Sequence, residues 1–241
     1  MAKSDIETGG GGEVTGNKLY PGMKEKSELR WRFIRKVYII LSLQMTLTVG
    51  VSAVVYFVRP IPKFITTTNY GIIIYFVSLL LPLLLLWPLF AFQKKHPVNC
   101  ILLSIFTLSI SFAVGICCLL SKGRIVLESA ILTAVMVLGL TIYTFWAVKR
   151  GYDFSFLGPF LCGALLILIV FSVIQIFHPL GKLSSMIFSG LASILFCGYI
   201  IYDTNTLIKE DKYDEYISAA IRLYLDIINL FLHLLGIGSN T

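Results

Sequence analysis

Two aspartates, Asp203 and Asp226, lie inside long apolar stretches near the C-terminal end of the chain. The second stands in the run Leu-Tyr-Leu-Asp-Ile-Ile-Asn-Leu-Phe at residues 223–231. A charged side chain at membrane depth is costly, so such residues usually face a bundle interior or a water-filled cavity and mark a functional site. These two carboxyl groups are therefore the first candidates for chemistry.

The short connection between the two stretches predicts that the aspartates meet. Only residues 209–214 separate the apolar runs, so the two segments are expected to be antiparallel neighbours. The helical rise then places Asp203 roughly 8 Å and Asp226 roughly 10 Å inside the same membrane edge. Two carboxylates that close in a medium of low dielectric constant do not both ionise cheaply, so we expect the pair to share one proton.

A dyad of this kind has three possible roles, which the residues alone leave open. It can be a pH-dependent latch, because the shared proton joins two helices and its loss makes them repel. It can also be a site for a hard cation such as Ca²⁺, which favours carboxylate oxygens, with Asp203 and Asp226 as its tentative ligands. The structural alternative is a buried polar clamp that only fixes packing.

Further polar residues follow one face of the last apolar segment. Arg222, Asp226, Asn229 and His233 are spaced at i, i+4, i+7 and i+11, which places them on one side of a helix. Arg222 is expected to pair with Asp226 or to turn to the membrane edge, since long basic side chains snorkel. His233 is more typical of a buried imidazole than of a metal ligand.

The composition predicts an all-α membrane protein with seven transmembrane helices. Hydrophobic residues make up 57% of the 241-residue chain, charged residues 14%, and the mean hydropathy is +0.85. Backbone groups in lipid must be satisfied within each segment, and the runs lack the alternation of barrel strands, so helices are expected. The predicted spans are 34–58, 71–92, 99–120, 126–148, 156–177, 183–208 and 215–236.

The distribution of charge predicts the topology and the partner. Lysine and arginine are concentrated before the first span and after each even-numbered span, which places the N-terminus in the cytoplasm. We therefore predict a flexible basic arm at 1–33, a bundle at 34–236 and a short tail at 237–241. The net charge is +7, and the basic residues that produce it lie near the membrane edges. The lipid bilayer, and not nucleic acid, is therefore the expected partner.

The five cysteines lie within or beside apolar runs and have no metal-ligand spacing, so they are expected to be packing residues. We expect no cofactor and no enzymatic activity. The cysteines are Cys100, Cys117, Cys118, Cys162 and Cys197.

The sequence resembles the transmembrane Bax-inhibitor-motif family, and in particular its plant Lifeguard branch. The resemblance rests on Tyr202-Asp203-Thr204, on the run at 223–231, on the basic and aromatic run at 35–44 and on Asp-Phe-Ser-Phe-Leu-Gly at 153–158. It covers about residues 30–236. Tyr202 thereby joins the dyad as a supporting polar residue.

The resemblance implies a fold in which the last of seven helices is surrounded by the other six. It also implies a pH-sensitive calcium leak across the endoplasmic reticulum or another endomembrane such as the Golgi or vacuole, with Ca²⁺ and protons as the ions concerned. Suppression of programmed cell death and cell-death regulatory proteins as partners are implied as well. The family's aspartate pair corresponds to Asp203 and Asp226. A basic residue that some bacterial relatives carry in the second span has no counterpart in residues 70–91, and Arg222 is the candidate to replace it.

Two other classes use similar aspartates. Intramembrane aspartyl proteases also place two aspartates on their sixth and seventh helices, the first in a Tyr-Asp pair, but they carry Gly-x-Gly-Asp where this chain has Leu-Tyr-Leu-Asp. A proton-coupled transporter is the other alternative, although no internal repeat is visible. A seven-helix receptor is disfavoured by the charge distribution, and a retinal protein by the lack of lysine after residue 212.

Overall fold

A computed structural model describes residues 18–21, 23, 27–58, 70–92, 95, 97–178 and 181–240. These residues form seven α-helices and no strand, as the sequence predicts. The helices are α1 (Ser27–Phe57), α2 (Tyr70–Ala91), α3 (Val98–Leu119), α4 (Gly123–Lys149), α5 (Leu157–Phe177), α6 (Gly181–Lys209) and α7 (Tyr216–Asn240).

The outer surface of the bundle is apolar, as expected for a multi-pass membrane protein. Six helices are long and apolar enough to cross a bilayer, while α2 has a shorter apolar part at Phe76–Ala91. Pro82 and Pro88 lie inside α2. Leu84 and Trp87 on the same helix are 72% and 82% exposed, which suits contact with lipid.

Two helices have an end four or more residues away from the predicted span. The first helix starts at Ser27, seven residues before the predicted start, and most of the predicted arm at 1–33 lies outside the described residues. The last helix continues to Asn240 through most of the predicted tail. Hydropathy marks the part of a helix that lies in lipid, and it does not register polar turns that continue the helix beyond it.

The last helix lies at the centre of the bundle, as the family resemblance implies. It packs most extensively against α6 and also against α1, α4 and α3, whereas α2 packs on α3 and α5 packs on α6 at the periphery. Ala220, Ile221 and Tyr224 of α7 are fully buried. The residues of α7 that face these neighbours are therefore shielded from lipid.

Hydroxyl groups join α7 to α1 and α3. Thr48 Oγ1 lies 2.8 Å from Tyr224 OH, and Ser111 Oγ donates to Thr48 Oγ1 at 3.0 Å. Gln44 Nε2 donates to Thr107 Oγ1 at 3.1 Å. Hydrogen bonds between helices in a membrane contribute roughly 0.6 kcal/mol on average, so this cluster fixes the position of α7 more than it stabilises the fold.

Candidate functional site

The two aspartates meet on the interface between α6 and α7. Their carboxyl groups face each other closely enough to interact, and the residues are only 5% and 6% exposed. Two buried carboxyl groups in contact do not both ionise cheaply, so we expect them to share one proton. The structure thus brings together the pair that the short α6–α7 connection predicts. Asp226 Oδ2 is buried and has no hydrogen-bond partner among the described residues.

Arg222 binds Asp203 and the connection instead of Asp226. Its Nε lies 3.4 Å from Asp203 Oδ1, and its Nη2 donates to both carboxylate oxygens of Asp211 at 2.8 and 2.7 Å. Of the two predicted alternatives for Arg222, pairing with Asp226 is therefore not observed, whereas the side chain does turn towards the connection at the membrane edge. The reason is that the connection places Asp211 within reach of the guanidinium, while the Asp226 carboxyl group is turned towards Asp203.

A second arginine holds the connection in place from α1. Arg30 Nη1 donates to the backbone oxygen of Asp211 at 2.5 Å, and Nη2 donates to that of Lys209 at 3.2 Å. These carbonyls follow the last turn of α6, where helices leave acceptors unsatisfied and where a positive charge is favourable. The Arg30 guanidinium also lies 5.4 Å from the Tyr213 ring centroid. Arg30 thereby closes the end of α6 beside the dyad.

The charges of this cluster balance when the dyad holds one proton. One ionised carboxyl group of the dyad and the carboxylate of Asp211 then carry two negative charges. Arg222 and Arg30 carry two positive charges, so the cluster is neutral. Loss of the shared proton leaves one uncompensated negative charge, which is costly in a buried site.

On the other side of the dyad the α6–α7 interface becomes apolar and aromatic. Phe196, Ile200 and Leu230 form a small buried cluster. The His233 imidazole stacks on the Phe196 ring with centroids 5.6 Å apart, and the Phe188 ring meets it edge-on at 5.7 Å. The His233 imidazole is therefore packed against two aromatic rings and is partly buried.

The remaining predicted residues do not touch the dyad through hydrogen bonds. Asn229 Nδ2 donates to the backbone oxygen of Leu225 on its own helix at 2.8 Å. The Tyr202 ring faces α5, where a Cβ at Gly158 would approach it to 3.0 Å. The polar face of α7 therefore has charged partners only at Arg222 and Asp226 among the described residues.

A second polar cluster joins the α4–α5 connection to the end of α6. Lys209 Nζ lies 3.2 Å from Asp153 Oδ1 and donates to the backbone oxygen of Tyr152 at 2.8 Å. The Ser155 hydroxyl donates a hydrogen bond to Asp153 and, together with the Lys209 ammonium, lowers the pKa of that carboxyl group to about 2. Sequence reasoning singled out the run at 153–158 only through the family resemblance and did not connect it with Lys209, because these residues look like an ordinary solvated loop.

No group of three or more His, Cys, Asp or Glu side chains is arranged to hold a metal ion in the described part of the chain. The five cysteines are free thiols. The dyad offers carboxylate oxygens from only two residues, Asp203 and Asp226. Their role as calcium ligands stays a prediction.

Comparison with known proteins places these residues in one family. The family model described as inhibitor of apoptosis-promoting Bax1 matches residues 30–240. Protein LIFEGUARD 1 of Arabidopsis thaliana is 79% identical over 240 residues and is covered over 100% of both chains. Protein lifeguard 4 of Mus musculus and the Golgi anti-apoptotic protein of vaccinia virus (strain Lister) are each 38% identical over 207 residues, which is 86% of this chain and 84% of theirs. The family model and the vaccinia relative are both named for the inhibition of apoptosis.

Proposed function

Because the chain belongs to the family of inhibitors of apoptosis-promoting Bax1 and to its Lifeguard group, we propose that it is a pH-gated calcium leak that restrains programmed cell death. The membrane is the Golgi or another endomembrane, a proposal supported by the name of the vaccinia relative. The proton acts at the dyad, and Ca²⁺ is the permeant ion.

The observation that carries this proposal is the contact between two buried carboxyl groups on neighbouring helices. We expect such a pair to share a proton, because two carboxylates in a buried site do not both ionise cheaply. Asp226 Oδ2, which has no hydrogen-bond partner among the described residues, is a further oxygen that could bind a cation at the dyad. A hard divalent cation prefers this kind of ligand.

Gating follows from the balance of charge in the cluster. With the proton present, the cluster is neutral and α6 and α7 are held together. When the proton is lost, two carboxylates face each other beside Asp211, and only Arg222 and Arg30 offset them. Repulsion then separates the helices and exposes carboxylate oxygens to a cation, so the leak increases as the pH rises.

The proposed path follows the α6–α7 interface. Towards the N-terminal side of the membrane it meets the Arg222 guanidinium, whose positive charge opposes entry of a cation until the cluster rearranges. Towards the opposite side it meets Asn229 and then the rings around His233. Both ends are therefore closed in the protonated state, which suits a regulated leak and not an open pore.

Calcium entry into liposomes tests the proposal. The purified protein is reconstituted, and the initial rate is measured for the wild type, Asp203→Asn and Asp226→Asn between about pH 6 and pH 8. Glu128→Gln removes one carboxylate from an exposed pair on α4 and is the matched control, since its side chain is 60% exposed. We expect both dyad variants to lose pH dependence and the control to retain it. Equal rates and pH profiles in all four proteins would contradict the proposal.

A further inference from the structure

The first helix carries an open groove on its outer face. The groove has a volume of about 350 Å³ and is lined by Arg35, Tyr38, Ile39, Ser42, Leu43 and Thr46. These residues recur at intervals of three and four, so they share one side of α1. From Arg35 to Thr46 the groove follows the helix for roughly 16 Å. In the bilayer this side of α1 faces lipid.

The arginine at one end of this groove differs from the other basic residues around it. Arg30 is buried and bound to the end of α6, and Lys36 Nζ lies 3.2 Å from the Tyr216 ring centroid. Arg35 is exposed and makes no hydrogen bond or ion pair within the described part of the chain. Its guanidinium is therefore available to a ligand outside the protein.

The position of Arg35 along α1 favours a phosphate partner. The predicted first span begins at residue 34, so Arg35 lies in the first turn of that span, roughly 8 Å along α1 from Arg30. At this boundary an unpaired guanidinium that faces lipid is costly unless it reaches water or a phosphate. A phosphate accepts two parallel hydrogen bonds from a guanidinium, which makes it the better partner.

Beyond Arg35 the hydroxyl groups of the residues that line the groove are not available to a ligand, and the Tyr38 hydroxyl is buried inside the bundle. Ser42 Oγ donates to the backbone oxygen of Tyr38 at 2.7 Å, and Thr46 Oγ1 donates to that of Ser42 at 2.8 Å. Ile39 and Leu43 are 54% and 65% exposed. The hydroxyl hydrogens of this surface are engaged in hydrogen bonds within the helix, and the rest of the surface is aliphatic. Such a surface suits a hydrocarbon chain.

We propose that this groove binds one anionic phospholipid from the leaflet on the N-terminal side, with its phosphate at Arg35 and an acyl chain along Ile39 and Leu43. Arg32, exposed one turn away, adds to the positive potential at the headgroup. The groove is separate from the dyad, so this proposal does not depend on whether the protein conducts calcium.

Binding is tested on the full chain in neutral detergent by native mass spectrometry. Phosphatidic acid is titrated against phosphatidylcholine with the same acyl chains. We expect a saturable adduct of one phosphatidic acid and no comparable adduct of phosphatidylcholine. Arg35→Gln should weaken the adduct about tenfold, because it removes a bidentate charged contact. Arg35→Lys retains the charge but loses the fork, so it should give an intermediate affinity.

Two substitutions that leave the charge unchanged separate a built groove from general attraction to a basic surface. Ser42→Phe fills the groove at an exposed position and should abolish the saturable adduct. Val54→Phe, on the exposed side of α1 beyond the groove, should leave it unchanged. The proposal is overturned by equal adducts in both variants, by an equal loss in Arg32→Gln and Arg35→Gln, or by phosphatidylcholine binding as tightly as phosphatidic acid.

Discussion

The Arg222 guanidinium lies 3.4 Å from the Asp203 carboxylate, so the positive charge beside the dyad comes from the same helix as Asp226. The second helix, where some bacterial relatives carry a basic residue, contains no charged residue between Tyr70 and Ala91. In this chain the counter-charge is therefore supplied by α7, and the Asp211 carboxylate holds it in position. Replacing either Arg222 or Asp211 should change the pH at which the proposed leak opens.

Replacing Arg222 by Gln should raise that pH. The variant lacks the positive charge that offsets the dyad, so the dyad retains its proton to a higher pH and the leak opens later. The substitution also leaves the buried Asp211 carboxylate without its bidentate partner, and we expect a loss of about 2 kcal/mol in stability, as for a hydrogen bond to a charged group. Calcium flux against pH and thermal unfolding in detergent measure the two effects.

The control for this substitution is Arg124→Gln. Arg124 pairs with Glu128 on α4, but its side chain is 89% exposed, so solvent screens the pair and its loss should have little effect on stability. We expect no shift in the flux profile of this variant. An Arg222→Gln protein with the same flux midpoint as the wild type would show that Arg222 has no part in gating.

Replacing Asp211 by Asn should shift the flux midpoint in the opposite direction. One negative charge near the dyad disappears and Arg222 retains only Asp203 as an anionic partner, so the proton is lost at a lower pH. The Asp211 side chain is only 5% exposed, and loss of a charged hydrogen bond there should cost about 2 kcal/mol. Shifts of the same sign in Asp211→Asn and Arg222→Gln would contradict the electrostatic explanation.

Sequence reasoning found the dyad but not its surroundings. A charged residue in an apolar run is conspicuous, and a short connection fixes two helices as neighbours, so Asp203 and Asp226 could be predicted to meet. Asp211 lies in a polar connection and looks solvated. Its burial depends on Arg30, 181 residues earlier in the chain, and contacts of that kind leave no trace in hydropathy.

The helices themselves were predictable because lipid imposes one length and one hydrogen-bonding solution on every span. The polar turns at the ends of the helices were harder to predict. The turns at residues 27–33 contain Glu28, Arg30 and Arg32, which lower the hydropathy, yet Arg30 and Phe33 are buried against the rest of the bundle. Packing of this first turn, and not hydropathy, determines where α1 begins.

Gly115 on α3 should tolerate no larger residue. A Cβ at this position would lie 2.8 Å from Val55 Cβ on α1, and a β-branched side chain cannot turn away from that contact. We expect Gly115→Ala to destabilise the protein by about 1 to 3 kcal/mol. Gly50→Ala and Gly139→Ala are matched controls, since a Cβ there meets nothing within 4 Å. Equal thermal unfolding midpoints in the three variants would refute this reading of the α1–α3 contact.

Asp153 should contribute the same stability throughout the neutral range. Its pKa is lowered from 3.8 to about 2, mainly by the hydrogen bond from Ser155, so its stabilising effect is present above about pH 4 and is lost only as the pH falls towards 2. The side chain is 58% exposed, so the effect should be below about 1 kcal/mol. The difference in unfolding temperature between the wild type and Asp153→Asn should be constant between about pH 5 and pH 8. A difference that grows or shrinks across this range would show that another ionisation controls the cluster.

The central claim is that proton loss from the dyad opens a path for calcium, and the flux profile of Asp226→Asn tests it most directly. The amide keeps a hydrogen-bond donor towards Asp203 at every pH, so the contact between α6 and α7 cannot be released by deprotonation. We predict that calcium flux through wild-type liposomes rises between about pH 6 and pH 8, whereas flux through Asp226→Asn liposomes stays low and flat. A variant whose flux rises with pH as steeply as the wild type would contradict the account.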